Sequence, residues 1–332
     1  MRTAIKTAAA GIVAWSGAGA MLRNRQHDLP FVVYYHRVVE GLDATNGFAL
    51  PAMEITAAML ERHLDWIGRH YDIISADEFL RRAGSRPRAL ITFDDGYSDI
   101  YHHAFPLLKR KGIPAAMFVV TDLVGSSKLP LHEELHALLT AASRAGSLPG
   151  LRDPSATTRY LLRHRSHAEV QRIVRWLRTM VTIDASVCRA LRPLDWDMLA
   201  EMRDAGMTIG SHTRTHSFLT LEQEERVVDE IRSSRVILQQ RLAVKADHFA
   251  YPGGCFNGRI VEAVASAGYT YGFSICRHID GRNPLLTIPR RGLWEKSCVD
   301  SDGRFSAAIM SCQTTPLFDW ISPCTQSHGA IA

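Results

Sequence analysis

Apolar positions fall into two alternating patterns along this chain, short runs of β-formers and longer stretches in which apolar residues recur every three or four positions. The first run, Leu29-Pro30-Phe31-Val32-Val33-Tyr34-Tyr35-His36-Arg37-Val38, predicts a strand ending at a histidine. Residues 54–70 place Met59, Leu60, Leu64 and Ile67 on one helical face, residues 71–74 read as a short strand, and Ser75 caps a brief helix through Arg82. Ala89-Leu90-Ile91-Thr92-Phe93 reads as a buried strand that stops abruptly at Asp94-Asp95-Gly96. A helix over 97–111 closes at Gly112, and a strand follows over 114–120. Further on, strands at 207–210, 245–251 and 269–273 alternate with helices over 222–242 and 257–267, while Asp195 or Asp197 starts a helix ending at Gly206. Strand, helix, strand in repetition predicts parallel strands with crossover helices, and hence a site at the strands' C-terminal ends.

One segment breaks the alternation. Residues 121–192 carry two helical stretches, 131–145 and 157–180, and a basic bias in Arg159, Arg163, His164, Arg165, Arg172, Arg175 and Arg178. They read either as a lid or docking surface for an anionic membrane or partner, or, as preferred here, as a helical hairpin with a solvated basic face. At the N-terminus, residues 1–28 form a segment of their own, with Arg2 and Lys6, an Ala- and Gly-rich apolar run over 7–22, and Arg23 and Arg25. That run is short for a membrane span, which needs about 20 apolar residues. With the A-x-A-like Ala18-Gly19-Ala20, it reads equally as a signal peptide or an amphiphilic helix. Residues 301–332 are read as a C-terminal tail without a motif beyond residue 312.

Composition narrows the class. A chain of 332 residues could make two domains, yet one α/β barrel takes about 250. Hydrophobic content of 46% and charged content of 22% are those of a globular protein with ample core. The net charge of +5 comes without an aromatic-interleaved basic stripe, which sets nucleic acid aside. Six cysteines, none in a C-x-x-C pair, indicate neither a zinc knuckle nor a compact disulfide scaffold and leave the redox compartment open.

Chemistry concentrates at two strand ends. Asp94 and Asp95 are adjacent, so they point in different directions and can serve different partners, one a cation and the other a reacting atom. Alone, such a pair would more often be a helix N-cap. Downstream, His212 and His216 in Ser211-His212-Thr213-Arg214-Thr215-His216 share one face of a helical turn, from which two imidazoles reach one metal ion. With a carboxylate they make a set that keeps positions open for water and substrate. In a chain with fifteen histidines, a chance pair on an exposed loop is the bland alternative.

Taken together and in this order, Thr92-Phe93-Asp94-Asp95-Gly96 and His212-Thr213-Arg214-Thr215-His216 resemble the first two motifs of the polysaccharide deacetylases, the NodB-like carbohydrate esterases of family 4. Position by position, the resemblance implies Asp95, His212 and His216 as metal ligands and Asp94 as general base. Tyr35-His36-Arg37-Val38 ahead of the Asp-Asp motif resembles the circularly permuted branch, which includes poly-N-acetylglucosamine deacetylases, and implies His36 as general acid. Pro252-Gly253-Gly254 resembles a third, oxyanion-forming motif with two departures: Ala250 replaces an arginine and Gly253 an aromatic residue. Ile288-Pro289-Arg290 resembles a late Pro-Arg segment of that branch, so Arg290 is expected to supply the charge missing at Ala250, with Arg291 the neighbouring alternative.

The resemblance runs from about residue 31 to 293, with 121–192 as an insertion. The expected architecture is therefore an irregular (β/α)7-type barrel with a helical insertion, in a domain over 29–300. The expected activity is metal-dependent N-deacetylation of an N-acetylated polysaccharide, an exopolysaccharide or cell-wall glycan, with zinc as the divalent ion. Two alternatives stay open: a non-catalytic glycan-binding or assembly protein of this fold, and amide hydrolysis of a small cyclic substrate. Membrane association through the N-terminus or the basic insertion is left open, and an extracytoplasmic or inner-membrane-associated location is expected over a cytoplasmic one.

Overall fold

A computed structural model describes residues 29–42, 45–80, 84–315 and 328, with single positions among the first 22. The N-terminal signal-like segment and the later part of the tail therefore lie largely outside the described residues.

The predicted apolar runs become parallel strands, and three stretches not read as strands, 54–56, 288–289 and 291–292, join them. They are β1 (Phe31–Tyr35), β2 (Arg37–Val39), β3 (Glu54–Thr56), β4 (Asp72–Ile73), β5 (Arg88–Phe93), β6 (Ala116–Val119), β7 (Thr208–Ser211), β8 (His248–Ala250), β9 (Tyr271–Ser274), β10 (Ile288–Pro289) and β11 (Arg291–Gly292). The main sheet runs β10-β9-β8-β7-β6-β5-β1-β11, with β4 also paired to β5. Its two end segments are consecutive in the chain. The stretch 288–292 pairs with β9 on one side and β1 on the other, through Ile288↔Phe273 and Val33↔Arg291, and so draws the sheet round into a barrel. Counting that stretch once gives seven staves, as expected. Counting its halves separately gives eight.

Both faces of this sheet are buried, which is why its strands read as continuous apolar runs rather than alternating ones. The alternation survives in where each residue packs. Val32, Leu90, Ala116, Phe118, Ala250, Phe273 and Ile288 fill one cluster inside the barrel. Val33, Tyr35, Ile91, Phe93, Met117, Val119 and Ile209 join the larger outer core with the helices. Gly210 is required inside, because a Cβ there would stand 2.6 Å from the Phe118 ring.

Several expected boundaries move. Residues 54–56 form β3, paired to β2, and the helix starts only at Ala57 with Thr56 as its N-cap, accepting from Met59 N. The expected helix over 157–180 is two, Pro154–His164 and His167–Leu177. Ser166 breaks it, because its side chain and that of Glu169 form a reciprocal capping box that starts a new helix. The connection between β6 and β7 thus holds five helices, Leu131–Arg144, Pro154–His164, His167–Leu177, Ala185–Ala190 and Trp196–Asp204, the first and third of them meeting around Leu135, Leu138, Leu139, Val170, Val174 and Leu177. Its arginines, from Arg159 to Arg178, are exposed. The tail begins as a helix, Ala307–Gln313, with Met310 in the main core. Among the described residues no helix is long and apolar enough to cross a membrane.

Candidate active site

Inward-facing positions on the strands share one parity, and extending it past the strand ends predicts what lines the barrel mouth. Leu90 and Thr92 continue to Asp94, Val32 and Tyr34 to His36, and Ile288 to Arg290. Arg290 sits at the break between β10 and β11 and is buried, whereas Arg291 pairs with β1, which resolves the choice between them. Its Nη1 and Nη2 each donate to Asp94 at 2.7 Å, a bidentate clamp. Nη1 also donates to Thr92 Oγ1 at 3.2 Å, and the guanidinium lies over the rings of Tyr34 and Phe118 at 4.8 and 5.4 Å. Burial pushes the Asp94 carboxyl up, but Arg290 and then His212 outweigh it and hold Asp94 below the usual carboxylate range.

Asp95 turns the other way because its backbone is left-handed, with φ 69°, followed by Gly96 at 78°. Its Oδ1 lies 3.5 Å from His212 Nε2 and 3.2 Å from His216 Nε2, and one ligand atom from each of the three residues falls within 4.8 Å of the others. Both Asp95 oxygens are buried without a hydrogen-bond partner. Burial raises this carboxyl, yet His216 and His132 beside it hold it well below the usual range, so it is an anion. His212 Nδ1 lies 2.8 Å from the Ala250 carbonyl, which only accepts, so the ring proton is on Nδ1 and Nε2 faces Asp95 as a lone pair. Burial lowers the His212 pKa to about 4 and keeps that lone pair available. An orphaned carboxylate facing imidazole lone pairs fits a divalent cation bound to one carboxylate and two histidines.

The two histidines do not share a helical turn. Beyond β7 the chain is an irregular loop in which Thr213 and His216 take positive φ, 67° and 63°. Side chains impose that path. Thr213 Oγ1 accepts from His216 N at 3.0 Å, and the fully buried Glu230 accepts from Thr215 N at 2.8 Å, from Thr215 Oγ1 at 2.6 Å and from Ser217 Oγ at 3.2 Å. Nothing in the sequence marked Glu230 apart from other acids of its helix, Glu224–Leu242.

His36 lies between β1 and β2, half-buried, its ring edge-on to Tyr34 at 5.3 Å. It is near enough to Asp94, Asp95 and His132 for its charge to act on all three. Pro252–Gly254 forms a tight turn beyond β8. Pro252 has no N–H and Gly254 N donates to the Tyr251 carbonyl at 2.8 Å, so Gly253 supplies the turn's candidate oxyanion donor. A Cβ on Gly253 would stand 2.4 Å from the Phe218 ring, and Phe218 lies edge-on to His216 at 6.0 Å. Phe218 therefore fills the space into which an aromatic residue at 253 would project.

One residue of the cluster was not foreseen. His132, in the first turn of helix Leu131–Arg144, is buried with Nε2 3.6 Å from Asp95 Oδ2 and its ring 4.7 Å from that of His216. Burial lowers its pKa to about 3. Tyr97 Oη lies 2.7 Å from His132 Nε2 and donates to Glu133 Oε1 at 3.2 Å. As a lone histidine in a helical stretch, His132 carried no spacing signal. A narrow pocket beside His216 is walled by Leu131, Leu162, Val170 and Phe218.

A sequence model described as polysaccharide deacetylase matches residues 81–272. YxkH of Bacillus subtilis, whose description names the same family, is 21% identical over 247 residues, 73% of this chain and 62% of its own length. The poly-beta-1,6-N-acetyl-D-glucosamine N-deacetylase of Staphylococcus aureus is 33% identical over 76 residues, 21% of this chain and 26% of that protein. The alignments thus span less than two thirds of these two relatives. Among solved structures, IcaB from Ammonifex degensii superposes with a TM-score of 0.56 at 19% identity, covering 87% of this chain and 98% of that one.

Proposed function

Because the chain belongs to the polysaccharide deacetylase family, we propose that it removes N-acetyl groups from an N-acetylated glycan by metal-dependent hydrolysis. The observation that carries this reading is the juxtaposition of Asp95, His212 and His216 with an Asp94 held ionised by Arg290. A divalent cation, zinc by the character of these donors, would be held by Asp95, His212 and His216, where it would polarise the acetamide carbonyl and make water more acidic.

The remaining work falls to the chain's own residues. Asp94 takes the proton of the attacking water, and Arg290 keeps its carboxylate charged and aimed. Gly253 N–H donates to the oxygen that gains negative charge as the carbonyl carbon becomes tetrahedral. His36 gives a proton to the departing sugar amine, completing acetate and a free amine. The named substrate of the Staphylococcus aureus relative supports a polymer of N-acetylglucosamine, and such a polymer suits an extracytoplasmic or inner-membrane-associated location, which cell fractionation tests.

Acetate release from acetylated chitooligosaccharides, poly-N-acetylglucosamine and peptidoglycan, with and without added divalent metal, tests the proposal. Metal-stimulated release from one of them is expected. Folded, metal-loaded protein that binds these glycans yet releases no acetate would instead support the assembly or binding role.

A further inference from the structure

The backbone is bonded on both sides of His36. On the N-terminal side the Tyr35 carbonyl accepts from Asp94 N at 3.0 Å, so β1 enters the mouth tied to the strand end that carries the base. On the C-terminal side one carboxylate holds two consecutive residues. Asp99 Oδ1 accepts from Val38 N at 3.2 Å, and Asp99 Oδ2 accepts from Arg37 Nε at 2.9 Å. Successive side chains of an extended chain point to opposite faces, so Arg37 turns away from the mouth as His36 turns into it. There Arg37 is only 1% exposed, and its other nitrogens are engaged as well. Nη1 donates to Glu54 Oε1 at 2.6 Å, and Nη2 donates at 2.7 Å to the carbonyl of Ala190, the last residue of helix Ala185–Ala190 in the connection between β6 and β7. Ion pairs buried so deeply are often no more stabilising than well-packed apolar residues. What a planar guanidinium with fixed donors adds is direction.

We propose that Arg37 and Asp99 are positioning residues for the general acid: with the bond from Asp94 N to the Tyr35 carbonyl, they fix the backbone on both sides of His36 and hold its imidazole within reach of the departing amine. The inference rests on the reading of His36 as that acid. Asp99 follows Asp94 and Asp95 in the same segment, so the stretch that supplies the base also fixes the acid. The connection between β6 and β7 takes part through Ala190, because one arginine grips both that connection and the chain beside His36.

The test isolates the step that needs the acid. An amide releases an amine that must gain a proton as it departs, whereas 4-nitrophenyl acetate releases a phenolate that leaves as an anion. The ratio of amide to ester turnover therefore reads the acid apart from the base and the fold. The full chain, loaded with Zn2+, is assayed on acetylated chitooligosaccharide or poly-N-acetylglucosamine and on the ester at pH 8, where Asp99, which burial raises to about 6, is ionised. His36→Ala is expected to lower the ratio. Asp99→Asn, which can still accept from Val38 N while its amide faces Arg37, should lower it by more than about threefold and by up to about 100-fold, the cost of displacing a reacting group by about 1 Å. Adding Asp99→Asn to His36→Ala should lower it no further, because misplacing an acid that is already absent costs nothing more. If Asp99→Asn does not fold, Arg37→Lys, which keeps the buried cation and gives up the fork, decides by the same two measurements. A ratio within about threefold of wild type in the deciding variant, or a further fall of more than about threefold in the double variant, would overturn the proposal, since a merely structural role slows both substrates alike. An unchanged ratio in His36→Ala would instead overturn the reading of His36 as the acid.

Discussion

At the scale of single residues, two adjacent carboxylates acquire opposite duties from their partners. Asp94 is clamped by a guanidinium and stays charged; Asp95 has no hydrogen-bond donor on either oxygen. Replacing Asp94 by Asn keeps the size and removes the proton acceptor, so turnover is expected to fall about 10²- to 10⁴-fold while Zn2+ occupancy, read by elemental analysis, stays intact. Arg290→Gln removes the strongest influence lowering the Asp94 pKa and leaves burial, which raises it. The acid limb of kcat/KM against pH should therefore move to higher pH. An unmoved limb would mean that another group is the base. His36→Ala should slow turnover and leave Zn2+ affinity unchanged, as expected of an acid rather than a ligand.

At the scale of elements, the strand ends and the loop after β7 follow different rules. Strand parity brings His36, Asp94 and Arg290 to one mouth with no further device. Bringing His216 beside His212 instead takes two positive φ values and a buried carboxylate, and the fully buried Glu230 is the anchor of that loop. Glu230→Ala leaves the Thr215 amide and two hydroxyls without their acceptor. It should cost roughly 1–3 kcal/mol in denaturant unfolding and weaken Zn2+ binding, whereas a loop held by its own backbone would show neither effect. The i, i+4 spacing suggested a helical turn because spacing records only which residues recur. The convergence comes from a local bond of Thr213 to His216 N and from the bonds of Thr215 to Glu230, and the latter join residues of different elements.

For the whole molecule, pH acts through buried histidines. Burial lowers the pKa of His63, His167 and His212 to about 4 and of His132 to about 3, from 6.5. As pH falls from about 6.5 toward 4 the unfolded chain takes up protons at these sites and the folded chain does not, so stability is lost over that window. Asp99, raised to about 6, and Glu133, raised to about 7, act in the opposite sense, because there the folded chain is protonated first. Burial also lowers His136, His248 and His328 and raises Glu54 and Asp122, so among the described residues the lowered histidines outnumber the raised carboxyls. Metal-free protein should therefore show a falling denaturation midpoint between pH 6.5 and pH 4.5, measured in chelator, and a flat or rising midpoint would contradict this balance.

Much of this organisation was legible in the chain itself. The apolar runs determined the parallel strands, their ends and the inward parity, because burial on both faces of a sheet leaves a direct mark on composition. The pairing of Thr92-Phe93-Asp94-Asp95-Gly96 with His212-Thr213-Arg214-Thr215-His216 singled out the residues that converge. Closure of the barrel by 288–292, the choice of Arg290 over Arg291, and the entry of His132 from a segment read as a solvated basic hairpin or as a lid or docking surface were decided by tertiary structure. Each depends on a contact between residues far apart in sequence, such as Arg290 with Asp94 or His132 with Asp95. Periodicity records which face of its own element a residue occupies, and it carries no information about what packs against that face.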